Sequence, residues 1–154
     1  ALVFAGMGFG IIFGQVINNR VITRLGVLTT TRLATAGLAV SCALMAVLAA
    51  LNWLTPVSFA VMMFAFNTFF LVSLANAGSM VIDPHHDIAG LTSSLLGFVT
   101  QLVPSVLTLA TMSLVQGSLL RWSLVVAVLA AAVLIALLLY RPRALVPDAV
   151  RTAL

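Results

Sequence analysis

The chain has no lysine and no glutamate, and seven arginines and three aspartates carry its fixed charge. Charged residues make up 6% of its 154 residues, where a soluble domain carries about 25%. A water-soluble fold of this composition has too little polar surface to cover itself, so that class is excluded. The single cysteine, Cys42, cannot form an internal disulfide. No histidine or acid is placed to activate Ser41, Ser73, Ser93, Ser94 or Ser105, and no Gly-rich strand–helix loop is present to cradle a nucleotide. The sequence reads as a non-enzyme that calls for no cofactor.

What is present is apolar. Hydrophobic residues make up 63% of the chain and gather in stretches over Ala1–Ile17, Leu33–Leu51, Val57–Ala77, Ile88–Val115 and Leu119–Tyr140. A hydrocarbon core about 30 Å thick is crossed by about 20 predominantly apolar helical residues. The expected fold is therefore all-α: a polytopic transmembrane bundle of five spans over residues 1–140, with a cytoplasmic tail over 141–154. Ala1 opens within an apolar run, without a basic leader or a small-residue cleavage site. A signal peptide is not expected, and the segment reads as part of a longer parent protein.

The sequence pI is near 11.3, which in a soluble protein would point to nucleic acid. Here the arginines stand at the ends of apolar runs, where they report topology, and no nucleic acid partner is expected. Arg20, Arg24 and Arg32 fall in the first connection, and Arg141, Arg143 and Arg151 in the tail. Arg121 alone belongs to the opposite side. The positive-inside rule then puts the first connection, the His-containing connection and the carboxyl terminus in the cytoplasm.

Local signals fill in the outline. Gly6, Gly10 and Gly14 share one helix face and predict a close helix–helix seam. Asn18 to Gly26 predicts a break from the first span, with a short helical turn and a tight reversal at the glycine. Trp53 marks a membrane interface, and Asp87 or its polar neighbours are expected to cap the fourth helix. Pro104 lies inside that helix, where it frees a carbonyl. Asp83, His85, His86 and Asp87 form the most polar connection, read as a solvated loop rather than a metal site.

Hydrocarbon penalises polar side chains, so those inside spans face protein or a water-filled cavity. Gln15, Asn67 and Gln101 are the amides at depth. With Phe64 and Phe98 they make an expected substrate-binding set: an apolar, aromatic lining with a few polar anchors suits an amphipathic small molecule. No acid lies at depth, so any ion-coupling residue is expected outside this segment.

The run from Asp83-Pro84-His85-His86-Asp87 through Ile88-Ala89-Gly90-Leu91-Thr92 to Gly97-Phe98-Val99-Thr100-Gln101 resembles the stretch entering the eleventh helix of major facilitator superfamily drug exporters, the Bcr/CflA group above all. The Asn19-Arg20…Arg24-Leu25-Gly26 segment resembles their connection between helices eight and nine. The resemblance implies helices eight to twelve of a twelve-helix carrier in the bacterial inner membrane. It also implies proton-coupled export of drugs by alternating access, together with the missing amino-terminal helices of the same parent chain. A sugar or metabolite carrier shares that architecture. A structural membrane subunit without transport is the reading from another class, and a membrane-embedded enzyme would need an acid, histidine or metal cluster at one depth.

Overall fold

The computed structural model describes residues 2–140, apart from the side chains of residues 2–8, 11, 85 and 86. The tail expected over residues 141–154 lies outside the described residues. The described chain is helical throughout, in the order α1 (Leu2–Leu25), α2 (Val27–Ala50), α3 (Pro56–Ile82), a 3₁₀ turn (Asp83–Ile88), α4 (Ala89–Val115) and α5 (Leu119–Leu139). Helix is what an apolar chain must adopt in lipid, where each backbone N–H and C=O has to be satisfied within the segment. Four of the helices, α2 to α5, are each long and apolar enough to cross a membrane. The chain thus has the character of a multi-pass membrane protein.

The first connection is shorter than its sequence predicts. Instead of breaking at Asn18, α1 runs on to Leu25, and the chain reverses at Gly26 alone with φ of 76°. Positive φ at that point favours glycine, which has no Cβ to clash. The polar run stays helical because Asn18 is buried while Asn19, Arg20 and Arg24 point outward. Arg32 likewise falls inside α2 rather than ahead of it. α3 starts with Thr55 and Ser58 in a reciprocal capping box and Pro56 in the first turn, each satisfying or removing an orphan N–H. Asp87 does not cap α4. The 3₁₀ turn runs through Ile88, which takes the cap position without a side-chain bond and leaves Asp87 one residue too early.

Helix directions follow from the pairings. Between α1 and α3 the partners keep a constant difference: Gly10 with Thr68, and Asn18 with Asn76. Those two helices are parallel. Between α2 and α3 the partners run in opposite senses, Thr31 with Met80 and Thr35 with Ser73. The same holds between α2 and α5, where Arg32 reaches Leu137 and Leu38 shares a core with Ala130. The helices lie side by side in the order α1, α3, α2, α5. α4 connects one end of α3 to the start of α5 and buries no residue along its length.

Lipid is as apolar as leucine, so close contact and hydrogen bonds hold such a layer together. At the α1–α3 seam a Cβ on Gly10 would stand 3.2 Å from the Phe64 carbonyl oxygen, and one on Gly14 would stand 3.2 Å from that of Thr68. This is the close seam predicted for those glycines; Gly6 lies among the residues whose side positions are not described. At the α2–α3 seam a Cβ on Gly37 would come within 2.7 Å of the Phe69 ring. Arg32 fastens α5 from the other side. Its Nε donates to the Leu137 carbonyl at 3.0 Å and its Nη2 to the Tyr140 carbonyl at 2.8 Å. Those are the carbonyls that a helix end leaves without partners.

Candidate functional site

The expected substrate set does not converge. Gln15 is exposed on α1, and among the described residues α1 makes no contact with α4, so Gln15 is remote from Phe98 and Gln101. Phe64 is half-buried at the α1–α3 seam, with its ring centroid 6.1 Å from that of Phe13. Asn67 is half-buried, and its Nδ2 donates to the Met63 carbonyl one turn back at 2.8 Å. That bond accounts for one amide proton within its own helix, without help from a neighbour. Phe98, 61% exposed, and Gln101 stand on the bare helix α4. Of the five, Phe64 lines a sizeable cavity, the one between α1, α2 and α3.

The structure places other polar side chains together instead. Asn18 and Asn76, both buried, exchange two hydrogen bonds: Asn18 Nδ2 to Asn76 Oδ1 at 3.1 Å, and Asn76 Nδ2 to Asn18 Oδ1 at 2.9 Å. The hydroxyl of Thr68 donates within its own helix to the Phe64 carbonyl at 2.9 Å, and its distance to the Gly10 carbonyl across the seam is 3.1 Å. Thr35 donates to the Ser73 hydroxyl at 3.2 Å. The sequence showed these residues as polar, but Asn18 read as part of a connection and Asn76 as the end of a span. Their partnership depends on the parallel α1–α3 pairing, for which no local pattern exists.

Two open spaces adjoin the layer. A groove of about 350 Å³ runs between α3 and α5 over α2. Thr31 and Thr35 form its floor, Ser73 stands on one wall, and Phe66 and Phe70 stack at 5.9 Å between centroids beside it. A wedge of about 570 Å³ opens between α4 and α5 from its apex at Gly117, with Pro104, Thr108 and Met112 on one side and Trp122 and Val125 on the other. Val126 and Leu129 line both spaces, so groove and wedge adjoin along α5. Such walls, with a few hydroxyls and no charge, suit an apolar or weakly amphipathic molecule. Among the described residues no group of histidine, cysteine or acid is arranged to hold a metal ion. The side chains of His85 and His86 lie outside that description.

Compared with known proteins, the chain matches no family model, no curated relative and no solved structure.

Proposed function

We propose that this chain is part of a secondary transporter of the bacterial inner membrane, exporting drugs or similar amphipathic molecules by alternating access. The observation that carries the reading is α4. It is a membrane-length helix with proline inside it that buries no residue and makes few contacts with its neighbours. A helix held in that way can rock against a packed layer, and rocking of one group of helices against another is how such carriers expose a site to alternate sides. The wedge beside α4 and the groove on the far side of α5 offer apolar volumes with sparse hydroxyls. Gln101, exposed on α4 three residues before Pro104, offers an amide that donates and accepts without the cost of burying a charge. The motif from Asp83 to Gln101 supports the same reading through its resemblance to the Bcr/CflA exporters.

Protons are the proposed coupling ion, taken up by acids in the amino-terminal helices of the parent chain. The carboxyl terminus is proposed to be cytoplasmic on the count of arginines, and Arg32 bonded to Tyr140 keeps two elements of that count at one end of the bundle.

The test is a resistance profile of the parent protein across structurally different antibiotics, normalised to membrane abundance. Gln101→Ala and Phe98→Ala should each change which compounds are exported while abundance stays near wild type. Profiles identical to wild type for both variants would overturn the placement of the site. Loss of resistance on His85→Ala and His86→Ala alone would move it to the connecting turn.

A further inference from the structure

The slot between α1, α2 and α3 is apolar along its length and basic at one end. About 350 Å³ in volume, it is walled by Phe13, Ile17 and Val21 on α1, Leu33 on α2 and Phe64 on α3. The polar groups along it are already engaged. Asn18 is paired with Asn76, and the Thr30 hydroxyl donates to the Gly26 carbonyl at 2.7 Å. Thr68 donates to the Phe64 carbonyl within its own helix. The walls therefore suit an apolar occupant. Phe13 and Leu33, 54% and 55% exposed, leave the slot open outward, which in a membrane means toward hydrocarbon.

The same face of α1 changes character toward Gly26. Phe13, Ile17 and Val21 recur every four residues, and Arg20 and Arg24 stand three and seven residues past Ile17, on that face. Both arginines are exposed. The other two arginines of the described helices are engaged: Arg32 with carbonyls at the end of α5, and Arg121 with the Gln116 side chain. Among the described residues none bonds to the guanidinium of Arg20 or Arg24. Asp83 closes α3 at the same end of the bundle, since α1 and α3 are parallel, yet it pairs with neither. The groove between α3 and α5 makes the contrast. It ends near Leu137, where Arg32 is already bonded to backbone.

We propose that the slot seats one acyl chain of an anionic phospholipid whose phosphate is held by Arg20 and Arg24, in the leaflet at the Gly26 end. An apolar body with an anionic end is what a phospholipid presents. Guanidinium groups bind phosphate oxygens through paired N–H donors, and basic pockets between membrane helices take up such headgroups. Val21 brings the slot to within about 8 Å of the reversal, so the chain pocket and the phosphate level meet. A zwitterionic lipid carries the same phosphate, but its own cation offsets the charge, and two unpaired arginines favour the lipid with net negative charge. The inference rests on the membrane character of the helices and not on the transport reading.

The test uses phosphatidylglycerol with a photoreactive diazirine midway along one acyl chain, in phosphatidylcholine vesicles that contain the protein. Irradiation should label the slot, on the peptides that carry Phe13 to Val21, Leu33 and Phe64. Replacing both arginines, Arg20→Gln with Arg24→Gln, should lower that labelling about tenfold. Arg20→Lys with Arg24→Lys should keep most of it. Phosphatidylcholine with the same diazirine should label the slot no more than it labels the exposed faces of α4 and α5. Excess inorganic phosphate, at matched ionic strength, should displace nothing. Equal labelling of the slot by the two lipids would reduce the contact to ordinary bilayer and overturn the proposal. So would labelling that survives the loss of both arginines, labelling abolished by inorganic phosphate, or a slot that no lipid reaches because protein covers it. None of these outcomes depends on export, so the two proposals fail separately.

Discussion

α1 and α4 make the instructive comparison. Each is a long helix, of 24 residues in α1 and 27 in α4, each carries small residues along its length, and each leads through a glycine into an antiparallel neighbour. α1 has Gly10, Gly14 and Asn18 buried against α3, whereas α4 has no buried residue. Composition does not separate them. In water both would be driven to bury their apolar faces; in lipid that drive between helices is absent, and burial goes to the helix that meets a shaped partner. α1 meets Phe64, Thr68 and Asn76, set at the spacing of its own small and polar positions.

The largest effect should come from spoiling that fit. Gly10→Leu drives a branched side chain into the Phe64 carbonyl and the Thr68 hydroxyl, both 3.2 Å from the position of a Cβ. Overpacking a tight seam costs about 1–3 kcal/mol, and here backbone stands in the way, so the upper end is expected. Ala110→Leu makes a similar change at an exposed position of α4 and should be nearly silent. Denaturant titration in detergent, with membrane accumulation alongside, separates the two. Equal losses would mean that α1 is no better seated than α4.

Next comes the amide pair. Removing one of Asn18 and Asn76 strands the other in the seam, and a buried unsatisfied polar group costs about 1–3 kcal/mol. Within membranes the net value of such a bond is smaller, about 0.6 kcal/mol on average, so about 1 kcal/mol is expected for Asn18→Leu or Asn76→Leu. The double variant should lose less than the sum of the singles. Strict additivity in the cycle would show that the two amides do not depend on one another.

These two predictions also mark how far the sequence could be read. The apolar runs announced helices, because hydrocarbon leaves the chain no other way to satisfy its backbone. The ends of α4 and α5 fell within one residue of the expected limits, while α3 ran five residues past Ala77 to Ile82. The glycine repeat announced a seam on α1. What it could not announce was the partner, since Phe64 and Thr68 lie far along the chain and carry no mark of facing Gly10. Asn18 misled for a related reason. A polar residue ahead of two arginines looks like the start of a loop, and only the parallel approach of α3 turns it into half of a buried pair. The candidate site suffered most. Gln15, Asn67 and Gln101 were grouped by depth and polarity, which locate a residue along the membrane normal but not around it.

A smaller effect is expected at the join of α2 and α5. Arg32→Leu removes the donors to the Leu137 and Tyr140 carbonyls, and charge-assisted bonds at an exposed helix end are worth about 1 kcal/mol or less. The loss should be local: amide exchange over the last turn of α5 rises while the centre of the helix stays protected. Arg32→Lys should recover part of the protection, since an ammonium offers a point charge in place of a planar fork. Unchanged exchange in Arg32→Leu would mean that the last turn is held by packing of Val133, Leu137 and their neighbours instead.

The smallest effect sharpens the comparison most, because it sets amides against amides. Asn67 donates to the carbonyl of Met63 within α3, and Gln101 stands exposed on α4, so neither takes part in a hydrogen bond between helices. Substitutions outside packed seams usually stay within about 0.5 kcal/mol. Asn67→Leu and Gln101→Leu should therefore unfold with the wild type in the same detergent titration that reveals the loss in Asn18→Leu. Replacing an exposed amide with leucine could even favour insertion, since an apolar side chain suits hydrocarbon better. The measurement should be made both on this segment and on the longer parent. A loss at Gln101 that appears only in the proposed parent would mean that another of its helices engages that amide, and would turn an exposed position on α4 into a contact between helices.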